Sequence, residues 1–138
     1  MFPKDVLIGV FISKAVFEIR FSRSDESKIG YSVLPSICIR GDEKFLLDIQ
    51  RSLYQHQVKS LVKQQESKTR PKPIMRISGI KNTNKVIQMI PDSYSDANSS
   101  LSAYKGIILR LVNKEHLTLE GLESIMKIRG ILNGIDND

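Results

Sequence analysis

The amino-acid sequence predicts an α+β fold with the element order αββαββα, followed by two further helices. Two observations predict this class. Apolar residues alternate with polar ones along residues 17–22 and again along residues 32–39, which is the two-residue period of half-buried strands. These two segments follow each other without a helix between them, whereas strict alternation of strand and helix would predict a parallel sheet. No internal repeat of solenoid period interrupts this order.

The first half of the core begins with a helix over residues 5–14, which are almost entirely apolar. A helix that is apolar on every side is expected to be buried. Residues 17–22 form the first strand, and a polar turn over residues 23–28 connects it to the second strand at residues 32–39. Pro35 lies inside the second strand, where it predicts a sheet edge or a bulge.

The second half of the core repeats the pattern of two strands between helices. Apolar residues at helical spacing in residues 45–53 predict a second helix, for which Asp42 can act as the N-cap. Residues 58–65 and 74–78 are predicted as the third and fourth strands. Residues 82–90 are predicted as a short third helix.

The C-terminal third is predicted to be helical after a linker. Residues 91–100 are rich in Ser, Asp and Asn and lack apolar periodicity, which predicts the linker. Residues 101–135 are predicted to contain two helices, the second with Thr118 as its N-cap. We therefore expect a single domain over residues 1–138, with the αββαββα core at residues 1–90.

The composition excludes several classes of protein. Of the 138 residues, 41% are hydrophobic and 26% are charged, as in ordinary globular domains rather than in disordered chains. The longest apolar run, residues 6–12, is far shorter than the roughly 20 residues needed to span a bilayer, so we expect no membrane span. One cysteine, Cys38, and two histidines at unrelated positions, His56 and His116, predict neither an internal disulfide nor a zinc site. No cofactor is expected.

The positive charge is concentrated in one segment. The chain has 21 basic and 15 acidic residues, a net charge of +6. Residues 57–85 contain eight basic residues and one acid, Glu66, so this segment alone has a charge of +7 and the rest of the chain has −1. Charge concentrated in this way is typical of an anion-binding face. A solvated loop that keeps the protein soluble is the alternative interpretation.

Four segments of the sequence resemble the LAGLIDADG homing endonucleases. Residues 7–17, with the sequence LIGVFISKAVF, align without a gap on the signature that names this family and on the two residues that commonly follow it. Residues 37–49, 76–82 and 113–122 are similar to a strand and its following helix, to the fourth strand and its turn, and to the C-terminal helix pair. The resemblance covers nearly the whole chain. It implies a saddle-shaped sheet over nucleic acid, with two signature helices, from two subunits or two halves of one chain, packed against each other.

The resemblance separates the packing role of the signature helix from its catalytic role. Gly9 and Ser13 retain the small-residue face that allows two helices to approach closely. The two aspartates of the family fall on Ile12 and Lys14, and the second aspartate is the carboxylate that binds the divalent metal for phosphodiester cleavage. A lysine cannot bind Mg²⁺, but it can pair with a phosphate. The resemblance therefore implies no bound metal and no cleavage by this chain.

At two further positions of the family pattern, one functional residue is replaced and the other is retained. The polar strand-end residue that orders water in active members aligns with Gly41, so this role is lost as well. The basic residue after the fourth strand is retained as Lys81. The resemblance thus implies a binding surface without its catalytic groups.

The predicted nucleic-acid surface is the face of the sheet that points away from the helices, together with the loop at residues 66–73. Basic residues there supply phosphate contacts and salt-dependent affinity, while polar strand side chains can contact bases. The predicted binding residues are Lys14, Arg20, Ser22, Arg40, Lys59, Lys63, Lys68, Arg70, Lys72, Arg76 and Lys81, and Ser32, Ser36, Leu61 and Ser78 complete the face.

Aromatic and thiol side chains are secondary candidates. Tyr31, Tyr54, Tyr94 and Tyr104 are able to stack on unpaired bases, although we expect at least two of them in the core or at its rim. Cys38 falls on the polar face, where we expect a packing residue and not a reactive thiol.

Three functions remain open. The favoured one is an RNA-binding structural component of a ribonucleoprotein such as a mitochondrial ribosome, because the cutting residues are replaced while the basic strands remain. The composition of 18 Ile and 13 Leu but only 3 Ala fits an AT-rich genome, which favours an organelle. The second function is that of an intron maturase or a DNA-binding regulator that does not cut. The third is an active nuclease whose metal site is completed by another chain.

The expected partners follow from these functions. RNA is favoured over DNA, and further proteins of a larger assembly are expected. A homodimer through the signature helix is not favoured, because it would bring two Lys14 ammonium groups close together.

Overall fold

The computed structural model describes residues 1–137, with the side chains of residues 1–130. Its α-helices and strands occur in the order α1 (Lys4–Lys14), β1 (Val16–Arg23), β2 (Tyr31–Arg40), α2 (Glu43–Gln55), β3 (Leu61–Lys63), β4 (Ile74–Ser78), α3 (Ile80–Met89), α4 (Asp92–Asp96), α5 (Ser99–Val112) and α6 (Leu119–Asn137), with a 3₁₀ turn at Glu115–Leu117 before α6. The four strands form one antiparallel sheet in the order β1-β2-β4-β3. The predicted α+β fold is confirmed.

One face of the sheet packs against the helices and forms the core. In the register of β1 and β2, Phe17 lies opposite Ile37 and Ile19 lies opposite Pro35, so the apolar members of both alternations share this face. These side chains are buried together with apolar residues of α1, α2, α3, α5 and α6. The two-residue period therefore predicted correctly which side chains of β1 point into the core.

Pro35 lies in a central strand, but at a point where that strand has no neighbour on one side. The ladder between β2 and β4 covers Ser36 to Arg40 and ends one residue from Pro35. The carbonyl of Pro35 accepts a hydrogen bond from the N–H of Gly79 at 3.0 Å. Because the nitrogen and the carbonyl of a strand residue point to the same side, the nitrogen of Pro35, which has no hydrogen, also faces the turn after β4. The ring is tolerated because no ladder hydrogen bond is lost.

The helix α1 is only partly buried, which corrects the expectation for an apolar helix. Leu7, Ile8 and Phe11 lie in the core. Val6 is 43% exposed, and Gly9 is also exposed. One face of α1 is therefore uncovered, and this face includes a position of the predicted helix-packing interface.

The strand β3 is shorter than predicted. Residues 58–65 were expected to be extended, but β3 contains only Leu61–Lys63. The segment before it is fixed by side chains instead of by a neighbouring strand, since Lys85 Nζ donates to the carbonyl of Gln57 at 2.8 Å and Asn82 Oδ1 accepts from the N–H of Lys59 at 3.2 Å. Such contacts between distant residues leave no periodic signal in the sequence.

Residues 91–100 are not an irregular linker. They contain the whole of α4, Asp92–Asp96, and the beginning of α5. Asn98 caps α5, because its Oδ1 accepts a hydrogen bond from the N–H of Leu101 at 3.0 Å. One of the polar residues that predicted a linker thus supplies a helix cap.

The predicted N-cap of the last helix is confirmed, and it explains the glycine that follows. Thr118 Oγ1 accepts a hydrogen bond from the N–H of Gly121 at 3.1 Å. A Cβ atom at position 121 would lie 1.7 Å from the carbonyl oxygen of Glu115 in the 3₁₀ turn. Only glycine fits this close approach of two main-chain segments.

Among the described residues, no helix combines the length and the apolar character needed to cross a membrane.

Candidate nucleic-acid interface

The face of the sheet that points away from the helices, here called the open face, brings most of the predicted binding residues together. The strand registers place Arg20 beside Leu34, Ser22 beside Ser32, and Lys63 beside Ile74. The open face consists of Val16, Glu18, Arg20, Ser22, Ser32, Leu34, Ser36, Cys38, Arg40, Leu61, Lys63, Ile74, Arg76 and Ser78. Lys59 lies two residues before β3 and lines a depression with Leu61, Arg76 and Ser78.

The centre of the open face is closed to large ligands. Alternation predicted that Ser36 is accessible on this face, but Ser36 is only 7% exposed, and Cys38 on the same face is fully buried. Both lie in the central strand, so side chains of β1 and β4 cover them from either side, with Arg76 directly opposite Cys38. The prediction that Ser36 contacts the polymer is therefore wrong.

Cys38 is a packing residue, as expected. Burial raises the pKa of its thiol, and the negative charge of Glu18 raises the pKa further. The thiol is therefore kept in its protonated form, which is the unreactive one.

Arg40 forms a bidentate, partly buried ion pair with Glu66. Its Nε and Nη2 atoms donate to the two carboxylate oxygens of Glu66 at 2.8 and 2.9 Å. The hydrogen bond raises the pKa of Arg40 and lowers that of Glu66. Arg40 therefore positions the loop after β3, and its contact with the polymer stays a prediction.

The loop at residues 66–73 presents its basic residues from a closed hairpin. The N–H of Glu66 donates to the carbonyl of Lys72 at 3.0 Å, and the N–H of Ser67 donates to the carbonyl of Arg70 at 3.0 Å. Arg70 also lies 3.6 Å from the carboxylate of Glu66, whereas Lys68 and Lys72 are exposed. Glu66 is thus the loop-positioning residue that the sequence interpretation did not assign. The signal was present, since it is the single acid in a segment of charge +7.

Lys14 lies at the end of the sheet where the resemblance places catalysis. Its Nζ is 5.2 Å from the centroid of the Phe45 ring in α2, a cation–π distance. A Cβ atom at Gly41 would lie 3.1 Å from the same ring, so both positions that the resemblance assigns to catalysis adjoin Phe45. Among the described residues, no group of three or more His, Cys, Asp or Glu side chains is arranged to hold a metal. Lys14 presents an ammonium group where the resemblance places the metal-binding carboxylate, and an ammonium group does not fit the divalent metal of the family.

Lys81 is separate from the open face. It lies in the first turn of α3 and lines a groove between α3 and α5 together with Lys114 and His116. Its contact with the polymer stays a prediction.

Gly9 and Ser13 lie on the exposed side of α1, as the predicted packing interface requires. Ser13 Oγ donates to the carbonyl of Gly9 at 2.7 Å, so its hydroxyl is satisfied within the helix. A Cβ atom at Gly9 would meet no atom within 4 Å. The described residues thus leave this small-residue face uncovered.

The tyrosines fall into two groups. Tyr104 is buried, and its hydroxyl donates to the carbonyl of Ser36 at 3.0 Å and lies 3.3 Å from that of Glu18. Tyr31 lies at the rim of the core, 43% exposed, while Tyr54 and Tyr94 are 71% and 53% exposed. Only the last two present a largely free ring.

The comparisons with known proteins identify the fold. No protein-family model matches the sequence, and no curated protein matches it. The solved structure of the homing endonuclease I-TnaI is similar, with a TM-score of 0.73 and 22% identity over 92% of this chain and 85% of that one.

Longer homing endonucleases match over about half of their length. I-SmaMI bound to its uncleaved DNA target in the presence of calcium ions matches with a TM-score of 0.77 and 22% identity over 97% of this chain and 46% of that one. The LAGLIDADG meganuclease I-CpaMI bound to uncleaved DNA matches with a TM-score of 0.71 and 19% identity over 93% and 44%. The chain therefore has the fold of the LAGLIDADG homing endonucleases, as its signature segment predicted.

Proposed function

We propose that this chain binds nucleic acid on its open face without cutting it, as an RNA-binding structural component of a ribonucleoprotein such as a mitochondrial ribosome. One observation supports this most directly: Lys14 occupies the position of the metal-binding carboxylate, while basic residues remain at the edges of the open face. A lysine there attracts phosphate and repels a metal ion. The binding part of the fold is retained and the catalytic part is replaced.

The charges of the open face support binding to a phosphate backbone. Arg20 lies on the β1 side, and Lys59 and Lys63 lie on the β3 side, all three exposed. The described ion pairs contain none of these three residues. The open face therefore has cationic side chains on both sides and almost no net charge between them. Cations in this arrangement can contact the phosphates of the two strands of a duplex.

The uncovered face of α1 supports further proteins as partners. Val6 and the small residues Gly9 and Ser13 are exposed there. Two copies joined through this face would bring two Lys14 side chains together, so a different protein is favoured over a second copy. Membership of a larger assembly is part of the proposal.

An intron maturase or a non-cutting DNA-binding regulator is the second candidate. It is favoured by the solved structures of I-SmaMI and I-CpaMI, which are bound to DNA. The third possibility, an active nuclease, requires a second chain to supply the acids that this one lacks.

Nuclease and binding assays test the proposal. The purified protein is incubated with duplex DNA and structured RNA in the presence of Mg²⁺ or Mn²⁺, and we expect binding without cleavage. Specific nicking by the pure protein would contradict it. Crosslinking in the native organism, followed by sequencing of the bound RNA and DNA, separates the candidates. We expect abundant ribosomal RNA, whereas recovery of an intron supports a maturase and genomic DNA supports a regulator.

A further inference from the structure

A second groove lies beside the open face, between the end of α2 and the segment at residues 56–60. Here it is called the Tyr54 groove, and its lining consists of Met1, Gln50, Arg51, Tyr54, Gln55, Val58, Lys59 and Ser60. Tyr54 is 71% exposed, so the face of its ring is available to a ligand. No acidic side chain lines this groove among the described residues.

The Tyr54 groove is continuous with the open face. Lys59 and Ser60 line both this groove and the neighbouring depression that contains Arg76 and Ser78. Leu61, the first residue of β3, follows directly and is also exposed. A polymer that lies on the open face and leaves it over β3 therefore passes into the Tyr54 groove.

The floor of the groove is preformed. Gln50 Nε2 donates to the carbonyl of Ser60 at 3.1 Å, and Asn82 Oδ1 accepts from the N–H of Lys59 at 3.2 Å. Gln57 has a left-handed backbone with φ of 62°, and its carbonyl accepts a hydrogen bond from Lys85. Because these contacts fix the segment before any ligand arrives, binding does not have to order it.

The positive charge of the Tyr54 groove and the exposed ring of Tyr54 both favour an unpaired nucleotide as the ligand. A tyrosine ring stacks on the flat face of any base, but only where the base is not already stacked between neighbours in a duplex. The guanidinium of Arg51, whose side chain is 68% exposed, and the ammonium of Lys59 supply positive charge beside the ring. Arg51 is only weakly engaged, 3.5 Å from Asp48 on the same helix.

We propose that the Tyr54 groove binds an unpaired nucleotide at the end of a duplex that lies on the open face. The base stacks on Tyr54, and the adjacent phosphates contact Arg51 and Lys59. This inference rests on the proposed function, since it extends the path of the bound nucleic acid. It gives the protein a means to distinguish a duplex that ends in a single strand from a blunt duplex.

The test compares two probes that differ only in their ends. Affinity is measured by fluorescence anisotropy for a short blunt RNA duplex and for the same duplex with a single-stranded overhang, with overhangs of both polarities. We expect one overhang to bind more tightly by about 5- to 150-fold, the range that stacking of one base gives. Replacement of Tyr54 by Ala should remove this advantage and leave the affinity for the blunt duplex unchanged, whereas Tyr54→Phe should retain it.

Controls separate failure of this inference from failure of the proposed function. Tyr94→Ala removes another exposed tyrosine, 53% exposed in α4 and outside the groove, and should change neither affinity. Binding of the blunt duplex with no overhang advantage, or an advantage that survives in Tyr54→Ala, would overturn the groove assignment alone. If the protein binds neither the blunt duplex nor the duplex with an overhang, whether these are made of RNA or of DNA, the proposed function is overturned. A fluorescent adenine analogue placed in the overhang should be quenched by stacking in the wild type and not in Tyr54→Ala.

Discussion

Replacement of Lys59 and Lys63 by alanine should weaken nucleic-acid binding and reduce its salt dependence. Both residues lie at the outer edge of the open face, Lys63 inside β3 beside Ile74 and Lys59 two residues before the strand. Neither occurs in an ion pair within the described part of the chain. Their ammonium groups are therefore free to release counterions from phosphates, and the double variant removes two such contacts.

The size of the effect follows from counterion release. Each phosphate contact contributes about −0.9 to the slope of log K against log salt for duplex DNA and about −0.7 for a single strand. Loss of two contacts should therefore make the slope shallower by about 1.4 to 1.8. Over a fourfold rise in salt, the wild type should lose about 7- to 12-fold more affinity than the variant does.

The assay is a series of anisotropy titrations at several salt concentrations. Lys4→Ala plus Lys127→Ala is the matched control, because it removes the same charge from exposed lysines on α1 and α6, two helices that pack against the other face of the sheet. The control should keep the wild-type slope. An unchanged slope in the Lys59 and Lys63 variant, or an equal change in the control, would refute the assignment of phosphate contacts to this edge.

Three further predictions concern the fold that supports the open face. Gly121→Ala forces a Cβ atom against the carbonyl of Glu115 at 1.7 Å and should destabilise the protein by about 1–3 kcal/mol, or roughly 3–12 °C in melting temperature. Its control Gly130→Ala, where a Cβ meets no atom within 4 Å, should stabilise by about 0.4–1 kcal/mol, so equal effects of the two would contradict the clash. Tyr104→Phe leaves the buried main-chain carbonyl of Ser36 without this donor and should lower the free energy of unfolding by about 1–2 kcal/mol, measured by urea denaturation. Burial lowers the pKa of His116, so as the pH falls below about 6.5 the unfolded chain is protonated first and stability decreases until the pH passes the folded pKa. His116→Asn should remove this part of the pH dependence, and an identical profile would place its cause elsewhere.

Local periodicity was sufficient to predict β1, β2, α2 and β4. In each of these elements the apolar residues of one face pack against the core, and in β1 and α2 a period of two or of 3.6 residues records which face it is. Ile74–Ser78 has the predicted limits of the fourth strand, and the Thr118 cap was also readable because a cap depends on residues only three apart.

Contacts between distant residues were not predictable in this way. Arg40 and Glu66 are 26 positions apart, and their pairing makes Arg40 a residue that fixes the loop. The burial of Ser36 and Cys38 depends on the order β1-β2-β4, which places neighbours on both sides of β2. Alternation assigns a side chain to a face, but only the sheet order determines whether that face is accessible there.

The spacing of the free cations constrains what the open face can bind. Adjacent strands lie about 4.8 Å apart, so β1 and β3 are separated by about 14 Å in the order β1-β2-β4-β3. This width is close to the roughly 12 Å of a DNA major groove and exceeds the roughly 6 Å of its minor groove. In RNA the major groove is deep and narrow and the minor groove is wide and shallow, so an RNA duplex must present its minor groove to a surface of this width. The sheet would then contact 2′-hydroxyls near the ends of β1, β2 and β4, where Ser22, Ser32 and Ser78 supply exposed hydroxyl groups, and phosphates near Arg20 and Lys63. These exposed serines should therefore determine the choice between RNA and DNA, while the lysines at the edge determine affinity for both.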